Sequence, residues 1–273
     1  PMPVFHPYGL SSGTVLPLSL GHEVVLHPSP LQVKEIPKRI AATRASIMLA
    51  TDTFLRQYIR SGEPGSMDTL RFVVCGAERV RPETREAAES RFGFKVLEGY
   101  GVTEAAPVLA CNHPDDIRQG TVGRALPEVE TRLEPVEGLD EGGKLLVKGP
   151  NVMLGYMSAD RPGEIAPPPG GWHDTGDVVT IDAEGFITIR GRLKRFAKIG
   201  GERVSLTLSE ASAFALWPEH MHAAATIPDP GRGEAIVLVT ENPDAERGPL
   251  LSHAQERGVA EIAVPRHVIV VDH

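Results

Sequence analysis

Residues 20–110 alternate two hydrophobic periodicities. Four short apolar runs predict strands: Glu23-Val24-Val25-Leu26, Ser46-Ile47-Met48-Leu49, Leu70-Arg71-Phe72-Val73-Val74 and Phe94-Lys95-Val96-Leu97. Between them, apolar residues recur at helical spacing. Val33, Ile36, Ile40 and Ala41 share one face, and Phe54, Leu55, Tyr58 and Ile59 share another. A third helix is predicted from Pro82 to Arg91, with Pro in its first turn and acidic residues near the positive end of its dipole. This strand–helix alternation predicts an α/β region built on a parallel sheet.

Near residue 115 the pattern shortens. Glu130–Glu134, Lys144–Lys148, Val178–Ile181 and Phe186–Ile189 alternate as strands do, and Asp182-Ala183-Glu184-Gly185 joins the last two. Asp/Gly turns between short strands predict an antiparallel β-barrel or sandwich. Arg161–Gly171 carries Pro162, Pro167, Pro168, Pro169, Gly170 and Gly171, and is predicted as a surface loop. Beyond Gly191 come a basic stretch, a helix near Leu208–Leu216, strands at Ala223–Ile227 and Ala235–Val239, a helix at Leu250–Gln255 and an apolar run at His267–Val271. This is the pattern of a small α+β layer.

Composition narrows the class. Of 273 residues, 41% are hydrophobic and 23% charged, as in an ordinary globular protein. The formal net charge of -8 argues against a nucleic-acid or anionic-membrane binder. Two cysteines, Cys75 and Cys111, cannot build a disulfide framework, which favours a reducing, cytoplasmic setting. No run reaches the ~20 apolar residues of a membrane helix, and the first residues lack the basic start and apolar core of a signal peptide. The 28 glycines and 24 prolines imply many turns. Because the chain starts at Pro1, inside a motif, it is expected to be a fragment or trimmed product.

Three segments carry candidate chemistry. Glu98-Gly99-Tyr100-Gly101-Val102-Thr103-Glu104 directly follows a predicted strand. Glycine lets the backbone approach a planar or phosphorylated ligand. Tyr offers a stacking face, Thr a hydrogen bond to an oxyanion and Glu an oxygen ligand for Mg²⁺. Equally, the segment reads as a Gly-rich turn with Thr103 capping a helix. Gly171-Trp172-His173-Asp174-Thr175-Gly176-Asp177 places carboxylates around a Gly turn, suited to ribose hydroxyls or to a plain hairpin turn; its spacing fits no standard metal site. Gly191-Arg192-Leu193-Lys194-Arg195-Phe196-Ala197-Lys198-Ile199-Gly200-Gly201-Glu202-Arg203 clusters cations, which suits either a phosphate or ribose clamp or a solvated linker. Three further patterns are set aside. Ser11-Ser12-Gly13-Thr14 lacks the Gly-Lys of a phosphate loop. His267 and Asp272 flank an apolar run that reads as a strand, and Glu219-His220-Met221-His222 has no second ligand pair.

Together with Phe5-His6-Pro7-Tyr8-Gly9 and Gly76-Ala77-Glu78, these segments stand in the order of the acyl-adenylate-forming superfamily, the AMP-dependent synthetases and ligases, which the chain resembles over nearly its whole length. Within it, Leu97–Val108, Lys148-Gly149-Pro150-Asn151-Val152-Met153-Leu154-Gly155-Tyr156 and Lys194–Leu206 are most similar to the synthetase part of the bifunctional 2-acylglycerophosphoethanolamine acyltransferase / acyl-[acyl-carrier-protein] synthetases. Many acyl-CoA ligases carry an acidic residue where this chain has Lys194-Arg195, and many relatives carry Glu at Thr207.

The resemblance implies three parts: an α/β part of the large domain at 1–115, a β-barrel part at 116–192 and a small mobile domain at 193–273. It implies ATP and Mg²⁺ as cofactors, a fatty acid as substrate, and acyl carrier protein or CoA as acceptor. Onward transfer to a lysophospholipid, with the parent at the inner face of the membrane, is also implied. Tyr100 would stack on adenine opposite Gly76, Ala77 and Glu78; Gly99 and Gly101 flank it. Thr103 would hold the α-phosphate and Glu104 the Mg²⁺. Asp177 would take the ribose hydroxyls with Arg192 beside it, and His6 would line the acyl pocket. Lys194 would be the hinge, and Gly200 and Gly201 would edge the pantetheine tunnel. The cations Arg192, Lys194, Arg195, Lys198 and Arg203 would either offer an acidic carrier protein a docking patch or, with Arg192 at the ribose and Lys194 at the hinge, leave the others, Lys198 and Arg203 above all, simply solvated. The family's phosphate loop is expected upstream of His6 and its adenylation lysine beyond Val264-Pro265-Arg266, so this stretch alone is expected not to adenylate. Competing expectations are an acyl-CoA synthetase or other carboxylate-activating ligase, such as an amino-acid-activating one, and a nucleotide-binding module without chemistry.

Overall fold

The computed structural model describes residues 1–271. The chain groups into two compact units, each discontinuous in sequence: residues 1–132, 146–175 and 181–188 in the first, and 133–145, 176–180 and 189–273 in the second.

In the first unit a π-helix, Tyr8–Val15, runs into α1 (Leu16–Ser19). Then follow α2 (Glu35–Thr43), β1 (Ile47–Ala50), α3 (Asp52–Ser61), β2 (Phe72–Cys75), α4 (Pro82–Phe92), β3 (Lys95–Gly101), β4 (Val108–Cys111) and β5 (Arg124–Ala125). The sheet runs in the order β1-β2-β3-β4-β5. The first three strands are parallel, in the register Ile47↔Phe72↔Lys95, and β4 and β5 add antiparallel. The predicted periodicities have a direct physical basis here: Ile36, Ile40, Leu55, Tyr58 and Ile59 are the buried faces of α2 and α3, and they pack with Val73, Phe94 and Val96 into one core. The Thr51 hydroxyl caps α3 by accepting from Phe54 N, and the Tyr58 hydroxyl donates to Pro30 O at 2.8 Å. The run Glu23–Leu26 is irregular rather than a strand, and Leu26 is exposed.

The middle of the chain forms β6 (Glu130–Glu134), β7 (Gly143–Lys148), β8 (Tyr156–Met157), β9 (Ile165–Ala166), β10 (His173–Ile181) and β11 (Ile187–Arg192). The expected barrel is not closed: the long strands make an open four-stranded sheet in the order β11-β10-β7-β6, and β8 and β9 form a separate hairpin. Strand alternation with Asp/Gly turns specifies hairpins, but the same pattern serves an open sheet and a barrel equally.

The last strands and helices are β12 (Phe196–Ile199), β13 (Glu202–Ser205), α5 (Leu206–Leu216), β14 (His222–Asp229), β15 (Gly233–Thr240), α6 (Arg247–Glu256) and β16 (His267–Val270). They form the expected α+β layer, with strand order β13-β12-β15-β14 and β16 parallel to β15. Leu238, Leu250, Ala213 and Ala254 bury α5 and α6 on the sheet. His222 belongs to this core and not to a metal site. Its Nε2 lies 2.9 Å from Trp217 O and its Nδ1 2.8 Å from the Thr240 hydroxyl. Ser11–Thr14 lies inside the π-helix, and Asp272 lies outside the described residues. No helix among the described residues is long and apolar enough to cross a membrane.

Candidate active site

The chain leaves β2 at Gly76, whose N–H donates to Ala50 O at 3.2 Å. A Cβ here would stand 3.4 Å from the Tyr8 ring, so the turn lies tight against that side chain. Ala77 follows at φ 67, the left-handed region that non-glycine residues rarely adopt. The Glu78 carboxylate accepts from Thr53 N at 2.8 Å, near the positive end of the α3 dipole. Glu78 thus anchors the loop to α3; Gly76 is buried at its start, and Ala77 is exposed. Tyr8 is itself locked. Its hydroxyl donates to Val74 O at 2.9 Å, and burial pushes its phenol far above the usual range. His6 is exposed, and its Nδ1 accepts from Tyr8 N at 3.1 Å, which orients the ring at the start of the π-helix.

The second loop joins β3 to β4. Gly99 and Tyr100 pair with Cys111 and Ala110, and the register shifts between Tyr100 and Gly101. A Cβ on Gly101 would lie 2.1 Å from Pro107 O, so no other residue fits. Tyr100 is 8% exposed. Thr103 is exposed and opens a short 3₁₀ turn, Thr103–Ala105, that ends at left-handed Ala106. Half-buried Glu104 accepts a hydrogen bond from the Tyr156 hydroxyl at 2.6 Å, and that bond holds the Tyr156 phenol above its usual range. Met153 N donates to Glu104 O at 2.7 Å, and the Asn151 amide donates to Ala105 O and Val108 O, both at 2.9 Å.

Segment 151–156 therefore holds the turn that presents Thr103 and Glu104. In the sequence, that segment stands only as a mark of resemblance. Its polar residues, Asn151 and Tyr156, were the available signal, but nothing local says which turn they grip. One carboxylate at this position fits Mg²⁺, which keeps several waters and substrate phosphate oxygens rather than an all-protein cage. No cluster of three or more His, Cys, Asp or Glu able to hold a metal occurs among the described residues.

The remaining candidates lie in the second unit. Asp177 sits on β10 at 4% exposure, and the exposed Arg192 at the end of β11 brings its Nε to 3.1 Å of Asp177 Oδ1. This charge-assisted contact compensates a carboxylate that burial would otherwise penalise. Lys194 is exposed in the turn Leu193–Arg195. Gly200 and Gly201, at φ 61 and 95, form the two-residue connection between β12 and β13. Both central residues with positive φ make a type I′ hairpin, which favours glycine. The basic patch is largely engaged at home. Arg195 pairs with Glu210 and donates to Ala224 O, Lys198 lies 3.2 Å from the Glu137 carboxylate, and Arg203 donates to Glu137 O. Lys194 and Arg192 are exposed, and the side chains of Arg195 and Lys198 stay partly exposed beside their partners.

Residues 1–157 match the family model described as AMP-binding enzyme. The chain is 29% identical over 279 residues to a long-chain-fatty-acid–CoA ligase of Yersinia pestis, covering 98% of this chain and 49% of that protein. It is 31% identical over 281 residues to the 3-[(3aS,4S,7aS)-7a-methyl-1,5-dioxo-octahydro-1H-inden-4-yl]propanoyl:CoA ligase of Rhodococcus jostii, covering 99% of this chain and 52% of that protein. The chain thus spans about half the length of these relatives. Among solved structures, the O-succinylbenzoate coenzyme A synthetase of Bacillus subtilis in complex with AMP superposes with a TM-score of 0.83 at 26% identity, covering 100% of this chain and 56% of that one. The same enzyme has been solved with ATP and magnesium ion, at a TM-score of 0.81.

Proposed function

The chain belongs to the AMP-binding enzyme family, and on that premise we propose that it is part of a ligase that activates a fatty acid as its acyl-adenylate. In the first step a carboxylate oxygen attacks the α-phosphorus of ATP, the bond to the bridging oxygen breaks and pyrophosphate leaves. In the second, a phosphopantetheine thiolate attacks the acyl carbon and AMP departs with the bonding electron pair. Adenylation turns a poor leaving group into a good one, so the second step needs mainly positioning.

The residue roles are those the family resemblance implies, and the chemistry of each group suits them. The Tyr100 ring and the main chain of Gly76–Glu78 serve adenine, with Gly99 and Gly101 shaping the strand end. The exposed Thr103 hydroxyl donates to an α-phosphate oxygen. Glu104, oriented by Tyr156, is the carboxylate for Mg²⁺, which when bound neutralises phosphate charge. Asp177 accepts from ribose hydroxyls, with Arg192 holding its other side. His6 borders the acyl group, Lys194 is the hinge, and the Gly200-Gly201 turn edges the pantetheine path. The arrangement that carries this reading is the β3–β4 loop: a backbone turn that only Gly101 permits, an exposed hydroxyl, and a carboxylate fixed by Tyr156.

The names of the relatives favour CoA as the acceptor. The Lys194-Arg195 pair and the Lys148–Tyr156 stretch favour a second reading, in which acyl carrier protein accepts the chain and passes it to a lysophospholipid. Calorimetry with a non-hydrolysable palmitoyl-sulfamoyl-adenosine tests the adenylate reading. The chain binds it, and Thr103→Ala and Asp177→Ala each weaken it about tenfold. No binding by the unmutated chain overturns the reading. Supplying preformed palmitoyl-AMP with CoA or with carrier protein then separates the acceptors.

A further inference from the structure

Glu98 is 5% exposed and lies on β3, immediately before Gly99 and Tyr100. A buried carboxylate is costly unless each oxygen finds a partner. Here each does. One oxygen accepts from Val80 N at 3.1 Å, and the other pairs with Arg85 on α4, whose second nitrogen donates to Val96 O at 2.6 Å. Val80 closes the loop that begins with Gly76-Ala77-Glu78. The next N–H, on Arg81, donates to Asp52 at 3.2 Å, and Asp52 is 1% exposed. With Glu78 on Thr53 N, three carboxylates hold the loop that contains the left-handed Ala77. Glu98 links that loop to the strand that carries Tyr100.

We infer that Glu98 is a positioning residue that sets the Gly76–Glu78 loop and the Gly99–Tyr100 strand end at a fixed separation, so that the two act together on one flat ring. The inference rests on the adenylate reading for the identity of that ring. A left-handed alanine is held only where its surroundings over-determine it. The hydrogen bond to Val80 N fixes the loop three residues beyond it, and the salt bridge to Arg85 keeps the carboxylate from turning away. Asp52 and Glu78 tie the same loop to α3, so removing Glu98 frees one side of the loop without releasing all of it.

Glu98→Ala, Glu98→Asp and Glu98→Gln are compared in the 273-residue chain by hydrogen exchange and by ligand competition. In Glu98→Ala, exchange at the Val80 amide accelerates at least tenfold while the amides of β1 do not change. AMP binds about tenfold more weakly, and ribose 5-phosphate, which has no base, is unchanged within twofold. Glu98→Gln, which keeps an oxygen for Val80 N, recovers most of the AMP affinity. If Glu98→Ala does not fold, Glu98→Asp decides, because the shorter side chain cannot reach Val80 N and Arg85 together. Unchanged AMP affinity in a variant with accelerated Val80 exchange, or equal weakening of AMP and ribose 5-phosphate, overturns the inference. Failure of the unmutated chain to bind AMP sinks the adenylate reading instead, and Val80 exchange still reports whether the clamp exists.

Discussion

At the scale of single residues, the glycines of the signature segments are required for different reasons. Gly101 is fixed by space, because a Cβ would strike Pro107 O at 2.1 Å. Gly200 is fixed by conformation alone: its φ is 61, yet nothing stands within 4 Å of a built Cβ. Gly200→Ala is therefore expected to cost about 1–2 kcal/mol, the price of left-handed backbone for an L-residue. Gly101→Ala is expected to cost about 3 kcal/mol or more, since a backbone carbonyl cannot move aside as a side chain does. Urea denaturation of the two variants measures the difference, and equal losses would contradict it. The sequence marked both positions as glycine-dependent. It could not distinguish approach to a ligand from approach to the chain's own backbone, because Pro107 reaches Gly101 only through the β3–β4 connection.

The cysteines also separate at this scale. Burial pushes the Cys111 thiol up to about 11 and the Cys75 thiol higher. A raised folded pKa contributes stability that is whole below the unfolded value near 9 and lost as pH rises through about 11. Both thiols are thus protonated at pH 8. Alkylation by iodoacetamide is expected to be slow in the native chain and fast in urea, with alkaline destabilisation setting in above pH 9. Rapid native labelling of Cys75 would contradict the burial argument.

At the scale of elements, the sequence was most legible where one periodicity ran long enough to be decisive. The helices at 35–43 and 52–61 follow their apolar faces, the helix at 82–92 follows its Pro start and acidic first turn, and the strands at 47–50, 72–75 and 95–101 follow their runs to within a few residues. Glu23–Leu26 is not a strand because so short an apolar run describes a half-exposed coil equally well, and it pairs with no strand among the described residues. The Asp182–Gly185 turn was read correctly for a reason the structure makes explicit. The Asp182 carboxylate accepts from Phe186 N and Glu184 N, both at 2.9 Å, while Arg118 and Arg124 lie on the Phe186 ring at 3.9 and 4.0 Å. The backbone bond from Phe186 leads in lowering the Asp182 pKa below 3.8. A depressed carboxylate contributes stability above its unfolded pKa and loses it as pH falls through the folded one. The urea midpoint of Asp182→Asn is accordingly expected to lie below the unmutated value at pH 7, with the gap closing below pH ~3.8. A gap that persists at pH 2 would assign the loss to packing instead.

At the scale of the whole molecule, the candidate residues are divided between two units that are each discontinuous in sequence. His6, Gly76–Glu78 and Gly99–Glu104 fall in one, and Asp177, Arg192, Lys194, Gly200 and Gly201 in the other. Texture along a chain delivers contiguous stretches, so the motifs and their order were visible while the interleaving of the two units was not. The residues that support the motifs were hidden for the same reason. Glu98, Asn151 and Tyr156 act across 18 to 52 positions of sequence. Thr103 gives a test of function that fold does not confound. Its side chain is exposed on a short turn, so Thr103→Ala should leave the melting temperature of the free chain within about a degree of the unmutated value. A ligand that binds only the folded state at 100 times its Kd adds about 2.7 kcal/mol, and a tenfold loss of affinity removes about half of that. At one fixed concentration of palmitoyl-sulfamoyl-adenosine, the thermal shift of Thr103→Ala is therefore expected to be about half the unmutated shift. An undiminished shift would remove Thr103 from the phosphate site, whereas a lowered melting temperature without ligand would make its role structural.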